Sequence, residues 1–189
     1  WTLSRGLGDV YKRQGLSAIN KPGGQHVLND EYFKRIEAIN YTLEHDDGEG
    51  QKNLELADVI IVGVSRTSKT PTCIYLANKG IKAANYPLVP DIGVSKELDE
   101  VKSPTVVALI TSAQTLVEIR RKRSLELGLK DKETDYINVH KVEEEIVAAK
   151  RIFANKGWPV IDITRRSVEE TASAIMNIIS LKEKKENEQ

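Results

Sequence analysis

The sequence predicts an α/β fold in which a mostly parallel sheet lies between helices. Short apolar runs alternate along the chain with longer segments that have a helical period. The runs are continuous rather than alternately apolar and polar, which is typical of parallel strands buried on both faces. Between one of these runs and the next helix stands the loop GVSRTSKT, from Gly63 to Thr70. Together these observations predict a three-layer domain that contains a strand–loop–helix unit.

The first predicted helix lies between a turn-rich stretch and a polar break. The segment KPGGQ is expected to form a loop, and EHDDGEG is expected to end the helix. Between them, apolar residues recur at spacings of three and four, which predicts an amphipathic helix with an apolar stripe. The stripe consists of Tyr32, Phe33, Ile36, Ile39 and Leu43.

The remaining elements follow in the alternating order that an α/β sheet requires. The predicted strands are Val59–Val64, Ala83–Val89, Thr105–Ile110 and Pro159–Ile163. The predicted helices are Thr70–Lys79, Ala113–Leu127, Asn138–Asn155 and Val168–Leu181. The final segment LKEKKENEQ is a run of solvated charges that we expect to fray.

The loop resembles a Walker A motif, G-x-x-x-x-G-K-[ST], and predicts a P-loop kinase-like domain. It matches the motif at Gly63, Lys69 and Thr70, but Ser68 stands where the second glycine belongs. A serine there needs either a compatible backbone conformation or a looser phosphate cradle. The alternative is an ordinary strand-to-helix turn with a solvated lysine.

Each part of the loop has a task that phosphate binding requires. The N-terminus of the following helix offers unpaired N–H groups to an anion. Lys69 would neutralise the outer phosphates, Thr70 would bind Mg²⁺ through its hydroxyl, and Arg66 would add a second cation. The predicted nucleotide-binding residues are Gly63, Val64, Ser65, Arg66, Thr67, Ser68, Lys69 and Thr70.

Composition narrows the classes of function. The 189 residues carry 28 Lys and Arg against 28 Asp and Glu, so no overall field attracts nucleic acid and phosphate binding must be local. No apolar stretch is long enough to predict a membrane span. The single cysteine, Cys73, suits a cytoplasmic protein and is expected to be a small buried side chain. Three scattered histidines, His26, His45 and His140, give little support to a metal site.

Three further motifs could carry chemistry. In HDDG, Asp46 and Asp47 could hold Mg²⁺ or accept a proton from an attacking hydroxyl. Alternatively, they could be ordinary loop residues without a chemical role. In VIDIT, Asp162 could act as a Walker B acid, or could orient the sheet edge or cap the next helix. In IRRKR, arginines could close over phosphates or form a solvated face; they are Arg120, Arg121 and Arg123.

The domain organisation predicted from these features has four parts. Residues 1–14 lack a signal-peptide core and are interpreted as a non-native leader, and 15–53 as the remnant of an amino-terminal region that carries HDDG. Residues 54–182 form the nucleotide-binding domain, and 183–189 form a charged tail. We expect the chain to be truncated at its amino end, which could leave it able to bind nucleotide yet inactive.

Four ordered segments resemble a known family, the bacterial pyruvate, phosphate dikinase regulatory proteins and the related phosphoenolpyruvate synthase regulatory proteins. They are HVLNDEYFKRIEAINYTLEHDDG, LADVIIVGVSRTSKTPTCIYLANKGIKAANYPLVP, LVEIRRKRSLELGL and GWPVIDITRRSVEETASAIM. The resemblance runs from Gly15 to Leu181. The pair Thr67 and Ser68 is similar to the dikinase branch, whereas the synthase branch more often has Cys-Gly there.

The resemblance implies a bifunctional enzyme that acts on another protein. Such a regulator uses ADP to phosphorylate a threonine near the catalytic histidine of the dikinase, and removes that phosphate with inorganic phosphate to release pyrophosphate. Carried over by position, Gly63–Thr70 would bind ADP and Mg²⁺. Lys69 would be catalytic. Chemistry and spacing, rather than the resemblance, suggest either Asp46 or Asp47 as the acid that orients or deprotonates the acceptor hydroxyl.

Two rival functions remain open at the level of sequence. One is a P-loop kinase that phosphorylates a small molecule, and the other is a nucleotide-binding module without catalysis. The dikinase as protein substrate is implied only by the resemblance. Periodicity does not distinguish a buried helix face from an interface, so homo-oligomerisation is open as well.

Overall fold

The computed structural model describes residues 30–47, 53–126 and 135–187, with side chains up to residue 185. By its internal contacts the chain divides into two units, Trp1–Asp30 and Glu31–Gln189, and nearly all of the described residues belong to the second. The predicted leader, the KPGGQ loop and His26 lie outside the described residues.

The centre of the second unit is a four-stranded parallel sheet. Its strands are β1 (Val59–Gly63), β2 (Ala83–Pro87), β3 (Thr105–Ile110) and β4 (Val160–Asp162). Their order is β2-β1-β3-β4, and every neighbouring pair is parallel. The carboxyl ends of all four strands therefore meet at one edge, where ligands bind in open α/β sheets.

Helices cover both faces of this sheet, which confirms the predicted α/β fold. They are α1 (Asp30–Glu44), α2 (Lys69–Asn78), α3 (Lys96–Glu100), α4 (Ala113–Glu126), α5 (Val139–Lys156) and α6 (Val168–Asn187), with 3₁₀ turns at Leu54–Leu56 and Asp135–Ile137. The five predicted helices occur with bounds shifted by one or two residues, apart from the end of α6. The short α3 was not predicted, and it begins where Ser95 Oγ accepts a hydrogen bond from the Leu98 N–H.

Two segment ends differ from the sequence prediction. β2 ends at Pro87 rather than at Val89, because Val89 instead forms an antiparallel bridge with Gly93 in the turn that follows. Helix α6 continues to Asn187, so the prediction that the chain frays after Leu181 was wrong over these residues. Lys184 and Lys185 lie in its last turn, where positive charge interacts favourably with the helix dipole.

Strand β1 shows why the apolar runs are continuous. All five of its residues are buried. Ile60 and Val62 pack in one hydrophobic cluster with α4 and α5, and Val59 and Ile61 pack in another with α2 and α6. Alternate residues of a strand point to opposite faces of the sheet, so a strand covered on both sides must be apolar throughout.

Helix α1 packs against the edge strand β2 through polar groups rather than through its apolar stripe. Thr42 Oγ1 donates to the Ala83 carbonyl at 2.8 Å and accepts from the Ala83 N–H at 3.2 Å. Just beyond the helix, the His45 carbonyl accepts from the Asn85 N–H at 2.9 Å. These bonds satisfy backbone groups that an edge strand leaves unpaired. The segment that follows α1 is thereby held at the carboxyl end of β2.

The apolar stripe predicted for α1 therefore does not face the core. Four of its five members are exposed, namely Tyr32, Phe33, Ile36 and Leu43. The buried residues of the helix are Ala38, Tyr41 and Thr42. The helix itself was predicted correctly, but its buried face is chosen by hydrogen bonds to β2, which periodicity does not reveal.

Two further expectations can be compared with the described residues. Cys73 is fully buried among apolar side chains of α2, as predicted, and burial raises the pKa of its thiol. None of the described helices has an apolar stretch long enough to cross a lipid bilayer.

Candidate functional site

The loop between β1 and α2 is closed by its own side chains. The fully buried Thr67 hydroxyl donates to the Val64 carbonyl at 2.9 Å. A Cβ atom on Gly63 would lie 2.7 Å from Thr67 Oγ1 and 2.9 Å from the Leu109 carbonyl oxygen. Cβ atoms do not approach other atoms this closely, so the first position of the motif requires glycine.

Backbone strain concentrates where this loop meets the end of the HDDG segment. The φ angle is 54° at Asp47, 73° at Arg66 and 53° at Ser68, a left-handed conformation that is costly for residues with a Cβ atom. All three residues line the same cavity. Ser68 thus replaces the motif's second glycine by adopting the conformation that glycine would favour. Strain of this kind is common at functional sites.

Lys69 is the first residue of α2, and its side chain turns back into the loop. Only 5% of it is exposed, and Nζ donates to the Val64 carbonyl at 3.0 Å. Burial lowers the pKa of Lys69 to about 8, while the carboxylates of Asp47 and Asp46 oppose this shift. A cation that is poorly solvated interacts strongly with an anion that reaches it.

Asp46, Thr70 and Asn85 form a hydrogen-bonded cluster beside the loop. Asp46 Oδ1 accepts from Asn85 Nδ2 at 2.6 Å and from Thr70 Oγ1 at 3.1 Å. Asn85 Nδ2 also donates to Thr70 Oγ1 at 3.0 Å. The cluster joins three parts of the chain: the segment after α1, the start of α2 and strand β2. The HDDG motif and the loop, predicted separately, thus lie together.

These residues surround one cavity of about 310 Å³. Asp47 lines it, whereas Asp46 lies behind it in the cluster with Thr70. The lining comprises Asp47, Ser65, Arg66, Thr67, Ser68, Lys69, Thr70, Pro71, Asn85, Pro87 and Ile119. Six of the eight predicted nucleotide-binding residues are in this set. The other two do not line the cavity: Gly63 is the last residue of β1, and Val64 follows it. The cavity combines two cations, a carboxylate and several hydroxyl groups.

The oxygen atoms of the cluster suit Mg²⁺, which prefers carboxylate and hydroxyl ligands together with phosphate oxygens. Thr70 Oγ1 and Asp46 Oδ1 are already adjacent, and the buried Asn85 Oδ1 has no hydrogen-bond partner among the described residues. Within the same part of the chain, no three His, Cys, Asp or Glu side chains converge on a common point. A magnesium ion here would therefore depend on Thr70, Asp46 and the phosphates of a bound nucleotide.

The arginines of α4 do not extend over the cavity. Arg120 is buried and forms a bidentate ion pair with Glu145, with distances of 2.7 and 3.0 Å. Arg121 is exposed, and the exposed Arg123 pairs with Glu126 at 3.3 Å. The hypothesis that Arg120 closes over phosphates was wrong, because its guanidinium is already occupied by Glu145 and by two backbone carbonyls.

Asp162 is also separated from the loop. It ends β4, and β3 lies between β4 and β1 in the sheet. Asp162 Oδ1 accepts from the Thr164 N–H at 2.9 Å and from the Thr164 hydroxyl at 2.6 Å, and these bonds lower the pKa of Asp162. A Walker B role beside the loop is not supported. Helix α6 is instead capped by the reciprocal bonds of Ser167 and Glu170.

The two histidines within the described residues, His45 and His140, contact residues outside the cavity. The His45 ring stacks on Tyr41 with 4.0 Å between centroids, and its Nδ1 lies 2.8 Å from the Tyr41 carbonyl. Burial and the neighbouring Asp58 raise the pKa of Tyr41 to about 12. His140 is largely exposed at the start of α5, 3.7 Å from Glu143. Neither residue lines the cavity.

Sequence reasoning did not identify Asn85, which links Asp46 to Thr70. Its signal was a polar residue inside the apolar run of β2, near the carboxyl end of the strand, where ligands bind in parallel sheets. Glu145 and Tyr136 were missed for a different reason. Both contact Arg120, and the Tyr136 hydroxyl also lies 3.3 Å from Ser65 Oγ, but no local motif marks contacts between residues so distant in sequence.

Fold and site define this chain as a parallel α/β protein with a strand–loop–helix site built around a buried lysine. Comparison with known proteins adds the family. The chain belongs to the kinase/pyrophosphorylase family, whose model matches residues 3–176. The resemblance found in the sequence motifs is thereby confirmed.

Curated relatives of this chain carry the name pyruvate, phosphate dikinase regulatory protein. The relative from Caulobacter vibrioides is 54% identical over 88% of this chain and 52% of its own length. The one from Sphingopyxis alaskensis is 52% identical over 94% of this chain and 63% of its own. One from Rhodopseudomonas palustris is 49% identical over 88% of this chain and 60% of its own length. The chain thus spans little more than half the length of these relatives.

Proposed function

We propose that this chain carries the active site of a bifunctional regulator of pyruvate, phosphate dikinase. In one direction it uses ADP as phosphoryl donor to a threonine of the dikinase and so inactivates it. In the other it transfers that phosphoryl group to inorganic phosphate, releases pyrophosphate and restores activity. Family membership and the names of the relatives support the target.

One observation carries the proposal: a buried cation and an accessible carboxylate line the same small cavity. Phosphoryl transfer needs positive charge at the phosphates and an acid that orients the acceptor hydroxyl. Lys69 supplies the charge and Asp47 the carboxylate. Arg66 lines the same cavity and adds a second cation. The local charges are thus suited to a diphosphate although the chain has no net charge.

In the kinase direction, the threonine oxygen forms a bond to the β-phosphorus of ADP. The bond from that phosphorus to the bridging oxygen breaks, AMP leaves, and the hydroxyl proton passes to a carboxylate. Lys69 and the loop N–H groups hold the phosphate oxygens while this occurs. Bound Mg²⁺ would supply further charge neutralisation, held by Thr70 with Asp46.

The reverse activity uses the same groups. An oxygen of inorganic phosphate forms a bond to the phosphorus of phosphothreonine, and the bond from that phosphorus to the threonine oxygen breaks. The threonine oxygen takes its proton back from the carboxylate, and pyrophosphate leaves. Both reactions place one phosphoryl group between the same hydroxyl and a second phosphate. One loop and one acid therefore suffice for both directions.

The two acids of HDDG have different surroundings, which supports a division of roles. Asp47 is exposed and lines the cavity, so it can reach an acceptor hydroxyl. Asp46 Oδ1 already accepts bonds from Asn85 and Thr70. We therefore assign proton transfer to Asp47 and orientation of Thr70 to Asp46.

Separate Asp47→Asn and Asp46→Asn variants test this proposal. Loss of the proton acceptor in Asp47→Asn should lower kcat in both directions by about 10² to 10⁴, with little change in the KM for ADP. Asp46→Asn should mainly weaken the effect of Mg²⁺ and raise the KM for ADP. The rates are measured with purified dikinase as substrate. They are measured for variants of this chain and for variants of the full-length relative from Caulobacter vibrioides that carry the substitutions at the aligned positions.

Full rates in both directions for both variants of the full-length relative would contradict the proposed site. A loss confined to one direction would contradict the claim that both reactions share an acid. Asp99→Asn is the matched control, because Asp99 pairs with Lys156 far from the loop in sequence and does not line the cavity. This control should keep both rates.

A further inference from the structure

Arg120 is the largest fully buried side chain in the described part of the molecule, and it contacts the loop at Ser65 without lining the cavity. It projects from α4, and its guanidinium forms a bidentate pair with Glu145 of α5. The remaining donor capacity of its terminal nitrogens goes to backbone. Nη2 donates to the Ser65 carbonyl and Nη1 to the Tyr136 carbonyl, each at 3.2 Å.

Tyr136 completes this arrangement. Its ring lies 4.4 Å from Arg120 Cζ, a distance at which a guanidinium and an aromatic face attract. Its hydroxyl lies 3.3 Å from Ser65 Oγ. Ser65 is therefore held twice, by its carbonyl through Arg120 and by its side chain through Tyr136.

Stability alone does not explain a charged side chain at this position. Removing a guanidinium from water costs free energy, and apolar pairs of similar volume often replace buried ion pairs without loss of stability. An apolar pair has no donors, however. Arginine offers a planar set of five N–H donors, which can hold a carboxylate and two carbonyls at fixed angles. What an apolar pair could not replace here are the hydrogen bonds from the Arg120 guanidinium to the Ser65 and Tyr136 carbonyls.

The geometry of the peptide bond transmits this contact to the cavity. In a trans peptide unit, the carbonyl of one residue and the N–H of the next point in opposite directions. With the Ser65 carbonyl directed at Arg120, the N–H of Arg66 is directed away from Arg120. Arg66 itself has the left-handed conformation, with a φ of 73°. Where right-handed and left-handed residues follow one another, successive backbone N–H groups point into a concavity that binds anions.

We propose that Arg120 is a positioning residue of the phosphate-binding loop, which it preorganises by fixing the orientation of the Ser65–Arg66 peptide. Glu145 and Tyr136 hold its guanidinium in place for this task. The inference rests on the proposed function for the identity of the anion, a nucleoside diphosphate. The orientation of the free loop can be tested without any ligand.

The test compares an apolar double variant, Arg120→Met with Glu145→Leu, with the unmodified chain. Its melting temperature should stay close to that of the unmodified chain, because both members of the ion pair are replaced together. Hydrogen exchange at the amides of residues 65–69 should accelerate by about tenfold or more, because the loop loses its anchor. The Kd for ADP should rise by about tenfold, since binding must then order the loop.

A matched control uses the exposed pair on the same helix, Arg123→Met with Glu126→Leu. It should change neither loop exchange nor the Kd for ADP. Arg120→Lys keeps the charge beside Glu145 but lacks the planar set of donors, so it should accelerate loop exchange even if the apolar variant fails to fold. Unchanged exchange in folded Arg120→Lys, or in the folded apolar variant, would overturn the proposal. If the unmodified chain shows no ADP binding while exchange still accelerates in the variants, the nucleotide proposal fails and the positioning role stands.

Discussion

The most informative single residue is Ser68, which departs from the Walker A pattern. The sequence left two explanations open, a compatible conformation or a looser cradle. The left-handed backbone at Ser68 supports the first, and its side chain forms no capping hydrogen bond that a replacement would lose. Lys69 and Gly63 were predictable because their tasks follow from local chemistry. The burial of Lys69, which lowers its pKa, follows from packing and could not be read from the motif.

Replacing Ser68 by glycine should stabilise the protein by about 0.5 to 1 kcal/mol. Relief of the left-handed strain, roughly 1 to 2 kcal/mol, exceeds the greater conformational entropy that glycine adds to the unfolded chain. The free energy of unfolding is obtained from urea titrations. ADP affinity should stay within about threefold of the original value, because the backbone path is unchanged.

Ser103→Gly is the matched control for this prediction, since Ser103 is not among the described residues with positive φ. It should lose about 0.5 to 1 kcal/mol of stability, the ordinary effect of glycine. A destabilised Ser68→Gly variant would contradict the strain argument. Complete loss of its ADP affinity would contradict the cradle.

At the scale of elements, periodicity predicted the strands and nearly all the helices, because most of them bury an apolar face or run. It did not predict which face of α1 is buried. That choice depends on Thr42 and His45 meeting the unpaired edge of β2, a contact between residues about 40 positions apart. The same contact brings Asp46 and Asp47 to the loop. The candidate site is thus a product of strand order and edge pairing, which no single motif contains.

Thr42→Val tests this role of the edge of β2. Valine keeps the shape of threonine but leaves the N–H and carbonyl of Ala83 without their partner, which should cost about 1 to 3 kcal/mol. Chemical denaturation measures the loss. Binding of ADP should weaken as well, because the segment with Asp46 and Asp47 loses an anchor beside β2.

Thr171→Val provides the comparison, because the hydroxyl of the buried Thr171 also donates to a backbone carbonyl, that of Ser167. There the carbonyl still accepts from the Thr171 N–H, so the loss should be below about 1 kcal/mol. Equal losses in the two variants would show that Thr42 has no special task at the edge strand.

At the scale of the whole molecule, the parallel sheet gathers the loop after β1, the end of β2 and the segment after α1 around one cavity. Charge is balanced over the chain but not within this cavity, where Lys69 and Arg66 face Asp47. The sequence therefore supplied the chemistry of the loop and the family. The roles that we propose for Asp46, Asp47 and Arg120 could be inferred only from the three-dimensional arrangement.

We propose that this loop delivers the β-phosphoryl group of ADP to a protein hydroxyl. The most direct measurement incubates the protein with Mg²⁺, purified pyruvate, phosphate dikinase and ADP labelled in its β-phosphate, and follows the label. We predict that the label moves to a dikinase threonine, that AMP forms in equal amount, and that Lys69→Met abolishes the transfer. Label that passes to a free metabolite, or that stays on bound ADP, would contradict the claim.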